Sequence, residues 1–544
     1  MQPSLRYFIT GLFVALMASA FCFSVSVQAS SFVVTNTDDS GPGSLRQAIL
    51  DTNAAPGPDT ITFDVTGLIA LTSGELLIRD DLTIIGPGPD ALAVSGSNLG
   101  RVFRVDNSNM SSSANVHLSG LTIRDGYMDS AVIATGLPDG AGLLNSENLS
   151  LQNLVFSNNV IVADDLWGSG AGLATILAPV TLENVSFQNN GGSGQGGTYG
   201  GGMAVIQGAA DLQDVSFEGN QAGTGGGLYA SSGSTLQVDG VQFTNNRADN
   251  GAGLYVSMSE LNLTNTLFAR NVALFDGGGL YSSSSNGETL HLINVAFSQN
   301  QASDGAGLYR YGGLTMTNAT MANNAATSRG GAVHVHTDDR VAIYNSIFWM
   351  NSAGIGHEIY AIDLDNNVPV SVESSLFYAG CTGIDGPPCR PPEVNCSHEG
   401  PQAVLQADPL FVDAANDDLS LAAGSPAINA GNNAHVPASI QTDLSGADRI
   451  QQGTIDLGAY ESSHAPPEGG GNEPVLLLSG GDFETDTGSW GQALTGSLDG
   501  YFATELAFAG GGVFLLVGDL GGPLEYLFQT AGTTGTADDT LTLS

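Results

Sequence analysis

The sequence contains no lysine. Its 13 basic residues are all arginine and stand against 54 Asp and Glu residues, which gives a formal net charge of −41 over 544 residues. Nucleic-acid binding needs a cationic surface, and so does docking on anionic lipid, so the composition disfavours both. The absence of lysine also excludes mechanisms that use a lysine base, a Schiff base or a phosphate-binding lysine. We therefore expect no nucleic-acid partner.

Cysteine is scarce as well, with four residues in the chain. Three of them, Cys381, Cys389 and Cys396, fall in one proline-rich stretch, and their spacing matches no zinc or redox pattern. An oxidising compartment would permit one disulfide among them, with one thiol left over. The pairing stays open at the level of the sequence.

The N-terminus has the composition of an export signal. A short segment with one base, Arg6, precedes an apolar run over residues 11–23, and Val27-Gln28-Ala29 offers a small-residue cleavage site. The apolar run is short for a membrane span, although an N-terminal anchor helix is the alternative. We predict a signal peptide over residues 1–29 and a secreted mature chain with no transmembrane segment.

Glycine is abundant, and much of it falls at one phase of a repeat. A Phe-x-x-Asn segment recurs at intervals of 24 to 31 residues and alternates with a glycine-rich element. Asn, Asp or Gly holds most positions three residues before the Phe, which indicates a tight turn with left-handed backbone. The segments begin at Phe156, Phe187, Phe217, Phe243, Phe268, Phe297, Met321 and Phe348, and at Phe377 with Gly380 in place of Asn.

Each repeat unit contains three short segments that alternate apolar and polar residues, and none has a helical period. One such unit cannot bury its own apolar face, but stacked units can. The pattern therefore predicts an all-β parallel β-helix of about eleven coils, spaced by about 4.8 Å. We expect the Phe residues and the fourth residue of each glycine element to point inward; the latter are Leu143, Leu173, Met203, Leu228, Leu254, Leu280, Leu308, Val333 and Ile359.

The ends of a β-helix expose strand edges and need caps. Residues 44–53 form an amphipathic helical pattern that begins with a capping box of Ser44 and Gln47, and we place this helix over the first coil. Residues 408–461 are predicted to close the far end, so that the β-helix with its caps covers residues 30–461.

A second region follows the β-helix. Residues 462–474 have the Pro and Gly content of a linker. Residues 475–544 carry a different all-β pattern, which we interpret as a partial, jelly-roll-like β-sandwich. Seventy residues are few for a sandwich of about 100, so we expect this domain to be truncated.

The repeat resembles that of polymorphic outer-membrane proteins, and the whole resembles a right-handed, pectin-lyase-like parallel β-helix. Residues 36–49, which read NTDDSGPGSLRQAI, are similar to the N-terminal cap of secreted bacterial β-helix proteins. Residues 425–431 and 456–461 resemble the C-terminal signature of those proteins, often labelled choice-of-anchor proteins. The segment from Gly481 resembles the start of a carbohydrate-binding jelly-roll. These resemblances imply a secreted, extracellular or outer-membrane location and adhesin-like or carbohydrate-related roles.

The fifth residue of each glycine element directly follows the inward fourth residue and is expected to face outward. These fifth residues form an aromatic column. In six consecutive units it holds Tyr229, Tyr255, Tyr281, Tyr309, His334 and Tyr360, a stripe of about 24 Å. Aromatic faces suit sugar rings, and tyrosine hydroxyls suit a wet surface. We predict a non-enzymatic protein that binds a glycan or another surface ligand along this column. Stacked aromatics that only stabilise neighbouring coils are the alternative.

A second hypothesis is a polysaccharide-active enzyme, either a lyase or a hydrolase. In enzymes of the resembled fold, catalytic groups project outward from the strand of the glycine element, where Glu358 is the only carboxylate. The absence of paired carboxylates in these columns argues against an inverting hydrolase. The candidate catalytic residues are His334 and His336, two positions apart on one strand, with Glu358 one coil further on. A purely structural surface stalk is the third hypothesis.

Acidic residues directly before the glycine element are candidates for metal binding. Asp276 and Asp304 fall in adjacent coils, where like charges repel unless they are hydrated or bridged by an ion such as Ca²⁺. Turns that use Asp side chains explain the same residues without a metal. We expect no other cofactor.

Overall fold

The computed structural model describes residues 29–466, apart from 56, 110–111, 131–137, 165, 194–196, 285–287, 338, 363–367, 379–383, 386–392 and 397–403. Beyond residue 466 it describes three short strands, Phe508–Ala509, Gly512–Leu515 and Leu527–Gln529, which pair antiparallel. The predicted signal peptide, Cys381, Cys389, most of the predicted linker and most of the predicted sandwich lie outside the described residues. Cys396 lies in a strand, but its side chain is not described.

The glycine elements each lead into a strand of one parallel sheet, called here the glycine sheet. Gly251 and its equivalents have positive φ, and a Cβ on Gly253 would lie 2.5 Å from the carbonyl oxygen of Gly279, so a side chain does not fit there. The predicted inward residues of these strands are fully buried. The strands, in sheet order, are Leu76–Ile78, Phe103–Val105, Leu143–Asn145, Leu173–Ile176, Met203–Ile206, Leu228–Ser231, Leu254–Ser257, Leu280–Ser283, Leu308–Tyr311, Val333–His336, Ile359–Ile362 and Ile384–Asp385.

The Phe-x-x-Asn segments lie in a second parallel sheet, called here the asparagine sheet, which bends at the predicted tight turn. Asn184, Asn294 and the other residues of that turn column have φ of about 45–66°, which confirms the left-handed turn. The strands are Ser31–Val34, Asp59–Phe63, Gly67–Ala70, Leu82–Ile85, Leu92–Ser95, Asn115–Arg124, Asn148–Ser157, Pro179–Gln188, Ala209–Gln213, Ser216–Glu218, Thr235–Asp239, Gln242–Thr244, Glu260–Ala269, Leu290–Ser298, Leu314–Ala322, Val341–Tyr344, Ile347–Trp349, Pro369–Glu373, Ser375–Phe377, Glu393–Cys396 and Val404–Leu405.

Short parallel strands complete the coils between these two sheets. The glycine sheet has twelve strands, so the β-helix has about twelve coils, one more than the eleven expected from the repeats. The additional strand is Ile384–Asp385, which follows the last glycine element at Gly356 and lies beyond the predicted repeat units. The short strands are Tyr127–Asp129, Val160–Val162 and Gly191–Ser193; Gly168–Ser169 and Thr198–Tyr199; and Arg247–Ala248, Val272–Ala273, Gln301–Asp304 and Ala325–Arg329.

Two ladders of identical side chains run through the interior. The Phe rings from Phe156 to Phe297 are fully buried and stack with centroids 4.6–4.9 Å apart. Beside them, each repeat Asn from Asn190 to Asn324 donates a side-chain hydrogen bond to the next Asn and another to the Phe carbonyl of the preceding coil. For Asn246 these bonds, to Asn271 Oδ1 and Phe217 O, are 3.0 and 2.9 Å long. The ladder comprises Asn159, Asn190, Asn220, Asn246, Asn271, Asn300, Asn324 and Asn351.

The predicted capping helix, α1, extends over Leu45–Ala54 and contacts the first strands of both sheets. The backbone N–H of Gln47 donates to Ser44 Oγ at 3.2 Å, which caps the helix as predicted. The Gln47 side chain bonds to Asp51 and does not return to Ser44, so half of the predicted capping box forms. Leu45, Ile49 and their neighbours on that face are buried.

Residues 408–464, called here the C-terminal segment, lie along the side of the late coils, whereas the sequence led us to expect them at the open end. Thr442 O accepts a bond from Asn294, and Asn432 exchanges two bonds with Asn345. Asn294 precedes Thr442 by 148 residues, and Asn345 precedes Asn432 by 87. Its elements are the antiparallel strands Phe411–Asp413 and Asp418–Leu421 and the 3₁₀ turns Ala414–Asn416 and Asn433–His435.

An apolar strip on the outer face of the asparagine sheet explains this position. Ile347 and Leu376 are fully buried beneath Ile428 and Leu457, and Ala296 packs with Leu419. Burial of apolar area gives about 25 cal/mol for each Å², so these contacts favour a lateral position over an open-end one.

A buried ion pair organises the C-terminal segment. The Arg449 side chain is 1% exposed, and its Nη2 lies 2.6 Å from Glu461 Oε1. Arg449 also donates to Asn294 Oδ1 of the β-helix at 3.3 Å. The Asp456 carboxylate accepts backbone bonds from Asn429 and Ser462. Residues 456–461, which resemble the C-terminal signature of secreted β-helix proteins, thus have a structural role in this chain.

Candidate functional site

The aromatic column lies on the outer side of the glycine sheet, and its members pair in register across neighbouring strands. Tyr229, Tyr255 and Tyr281 are partly exposed. Their rings stack nearly parallel, with centroids 5.4 and 4.5 Å apart. Each ring face is therefore covered by its neighbours, and the column presents ring edges and hydroxyls to solvent. Partial burial raises the pKa of these tyrosines, which keeps the hydroxyls protonated.

Two further aromatic residues extend the column and were missed in the sequence. Tyr199 stands before its glycine element, and its ring lies 4.9 Å from that of Tyr229. Trp167 meets Tyr199 edge to face at 6.4 Å and is 65% exposed, so it offers a free ring face. Tyr199 accompanies a coil whose column residue is the small, buried Ala204. The signal that could have identified this extension is a tyrosine directly before the glycine element in a unit whose column position holds alanine.

The other end of the column is less accessible than expected. Tyr309, His334 and Tyr360 are each at most 5% exposed. Tyr311, two positions after Tyr309, packs edge to face against the Tyr309 ring at 5.3 Å. It is 40% exposed and accepts a 3.1 Å bond from the Tyr309 hydroxyl. The Arg329 guanidinium lies 5.5 Å from the centre of the Tyr360 ring. Tyr311 therefore replaces Tyr309 as the accessible aromatic group at this end.

The structure brings the predicted histidine and aspartate candidates into one cluster. His334 Nδ1 lies 3.6 Å from Asp304 Oδ1, and the rings of His334 and His336 stack 4.8 Å apart. The backbones of Asp304 and Asp276, in the preceding coil, form a parallel β-bridge. Within the described residues, neither ring nitrogen of His334 has a hydrogen-bond partner. Burial lowers the pKa of His334, and it lowers that of His336 to about 4, so both rings are neutral at pH 7.

The metal hypothesis for Asp276 and Asp304 remains a prediction. Among the described residues, no group of three or more His, Cys, Asp and Glu side chains is arranged to hold a metal ion. Burial, followed by the charge of Asp304, raises the pKa of Asp276 to about 6. A raised carboxyl pKa means that stability is lost as the pH rises through about 6.

The substitution Asp276→Asn is expected to stabilise the chain above pH 6, because an amide ends the repulsion from Asp304. We expect an increase of a few degrees in the melting temperature at pH 7.5 and no difference at pH 3.5, where the Asp276 carboxyl of the wild type is already protonated. Thermal melts of both proteins at the two pH values, with and without EDTA, measure this. A wild-type melting temperature that falls with EDTA would contradict the metal-free account and support a Ca²⁺ bridge.

Glu358, the predicted catalytic carboxylate, ends the asparagine ladder inside the β-helix. It is fully buried, and its Oε2 accepts a 2.6 Å bond from Asn351 Nδ2. The next repeat has Gly380 where its ladder Asn would stand, so the Glu358 carboxyl takes the place of that missing amide. Burial raises its pKa to about 8. Neither Glu358 nor His334 reaches the surface on which a polysaccharide could lie.

The substitution Glu358→Gln is expected to stabilise the last coils at alkaline pH. Because the folded-state pKa is raised, the wild type loses stability as the pH rises through about 8, whereas glutamine stays neutral and still accepts the Asn351 bond. We expect slower amide hydrogen exchange in the variant over residues 345–377 at pH 9. At pH 5 the two proteins should exchange alike, and a difference of the same size at both pH values would contradict this role.

The comparisons with known proteins agree with the fold. Residues 214–231 match the Chlamydia polymorphic membrane protein repeat, and no curated protein matches the chain. These residues contain Phe217, Asn220 and the glycine element that leads to Tyr229, which are the parts of the repeat that build the two sheets. In the described part of the chain no helix has the length and apolarity of a membrane span. The chain is a parallel β-helix protein, and one of its repeats, at residues 214–231, is similar to the polymorphic membrane protein repeat.

Proposed function

We propose that this protein acts at the cell surface as a non-enzymatic, adhesin-like β-helix that binds a neutral glycan along its aromatic column. The observation that carries the proposal is the continuous series of aromatic contacts from Trp167 to Tyr311 on one outer side of the coils. A family of membrane proteins shares the repeat, which supports the surface location.

The chemistry of the column favours a neutral, hydroxyl-rich ligand. Tyrosine hydroxyls donate and accept hydrogen bonds, and the exposed ring of Trp167 can stack on a sugar ring. The column contains no arginine, and the net charge of the chain is strongly negative, so an acidic polysaccharide would be repelled. The ligand would lie parallel to the β-helix axis, because the hydroxyls repeat once in each coil.

A purely structural stalk is a second candidate, because the tyrosines stack face to face and stabilise neighbouring coils. Substitution by phenylalanine separates the two functions. Tyr255→Phe with Tyr281→Phe keeps the stacked rings but removes two hydroxyls, and Trp167→Ala removes the exposed face. Tyr378→Phe is the matched control, since Tyr378 is 49% exposed and contacts Trp349, away from the column.

The test is a glycan array probed with the full-length chain and these variants. We expect the wild type and Tyr378→Phe to bind the same neutral glycans, and the column variants to lose at least one of them. Failure of the wild type to bind any glycan would overturn the proposal in favour of the stalk, as would unchanged binding by both column variants.

A further inference from the structure

A polar trough lies on a different face of the coils, the outer face of the asparagine sheet. It consists of two adjoining cavities of about 440 and 250 Å³, which share His117, Ser150 and Thr181. The cavities continue to Asp211 and, beside it, to Gln152 and Glu183. No Arg side chain lines either cavity.

Strand register explains why these side chains meet. His117, Ser150, Thr181 and Asp211 pair in order across four neighbouring strands. Their neighbours along each strand are buried, so alternation along the strand turns these four outward. Four coils at about 4.8 Å give a trough about 14 Å long, parallel to the β-helix axis.

The polar groups of the trough retain hydrogen-bonding capacity. His117 Nδ1 lies 3.2 Å from Ser150 Oγ, which leaves Nε2 for a ligand. Gln152 donates a 3.0 Å bond to one oxygen of Glu183, and a carboxylate can accept several bonds. Carboxylates are good acceptors for the paired hydroxyls of sugars, and they repel uronates and phosphates.

We propose that this trough is a second carbohydrate site, which binds a short neutral oligosaccharide by hydrogen bonds, with Glu183 and Asp211 as the main acceptors. Its length fits about three sugar units. The recognition differs from that of the aromatic column, because the floor contains no aromatic ring except the imidazole of His117. This inference does not rest on the proposed function, since the two sites share no residue.

The test measures binding of cellotetraose, maltotetraose, xylotetraose and tetragalacturonate to the full-length chain by isothermal titration calorimetry. Each is also measured with the double variant Tyr255→Phe with Tyr281→Phe, called here the aromatic-column variant, which leaves the trough intact. The trough variant is Glu183→Gln with Asp211→Asn, which keeps side-chain shape and weakens the acceptors. Gln237→Ala is the control, because Gln237 continues the same column one coil beyond Asp211.

We expect at least one neutral tetraose to bind both the wild type and the aromatic-column variant, and the trough variant to bind it at least tenfold more weakly. Gln237→Ala should stay within twofold of the wild type. The proposal is overturned if no neutral tetraose binds the aromatic-column variant, if the trough variant binds as the wild type does, or if tetragalacturonate binds best. If the aromatic-column variant loses glycan binding and the trough variant does not, the result contradicts the trough proposal and leaves the proposed function standing.

Discussion

Asn246→Ala is expected to destabilise the middle of the β-helix by about 3–5 kcal/mol. The substitution removes the bonds from Asn246 to Phe217 O and Asn271 Oδ1, and it removes the acceptor for both the backbone and side-chain N–H groups of Asn220. All these groups are buried, so they lose partners without gaining water. An unsatisfied buried polar group costs about 1–3 kcal/mol.

The effect should be local, because each coil of a solenoid contacts only its neighbours. Hydrogen exchange is expected to accelerate over residues 215–275 and to stay unchanged near α1. Asn262→Ala is the matched control, since Asn262 is exposed and makes one long side-chain bond of 3.4 Å. Equal denaturant stability of the two variants would show that the ladder does not stabilise the coils.

Arg449→Met is expected to have the second large effect, a loss of about 3–5 kcal/mol from the attachment of the C-terminal segment. The substitution leaves the Glu461 carboxylate buried without its partner, and it removes the bond to Asn294. We expect the segment to detach and expose the apolar strip around Ile347 and Leu376. Limited proteolysis should then cleave within residues 408–464 much faster than in the wild type.

The double variant Arg449→Met with Glu461→Leu provides the control. Replacing a buried ion pair with apolar side chains is often neutral or stabilising, so the double variant should resist the protease better than Arg449→Met alone. A single variant as resistant as the wild type would contradict the role of the ion pair. The β-helix coils before residue 260 should be unaffected in every variant.

Much of the fold could be predicted because the repeat has a nearly constant period. Once Phe187 and Phe217 are aligned, every column of the coil is fixed, so Leu173, the turn at Asn184 and the outward tyrosines follow from their spacing. The stacking distances confirm the Phe column. The aromatic column was found for the same reason, although the number of covered ring faces could not be read from alternation alone.

The C-terminal segment could not be placed in this way, because its sequence has no repeat. A signal was nevertheless present in the β-helix itself. The outward column that contains Ser186 and Ser216 changes to Leu267 and Ala296 in the later coils. A solvated column has no reason to become apolar, so this change indicates a covering segment.

The candidate site was predicted in pieces. His334 and Asp304 stand 30 residues apart in the sequence, at different phases of the repeat, and only the path of the turn between them brings their side chains within 3.6 Å. Glu358 was placed with the outward residues, whereas it stands where a glycine normally approaches the asparagine ladder. The sequence signal for the role of Glu358 at the end of the ladder was Gly380, which holds the position of the repeat Asn.

The most direct test of the account uses the variant Tyr255→Phe with Tyr281→Phe, for which the melting temperature and the Kd for the best neutral array glycan are measured together. We predict an unchanged melting temperature, because the rings still stack, and a Kd at least tenfold higher than that of the wild type, because two hydroxyls are gone. An unchanged Kd, or a fall in the melting temperature that accounts for the weaker binding, would contradict the claim that the aromatic column binds a ligand.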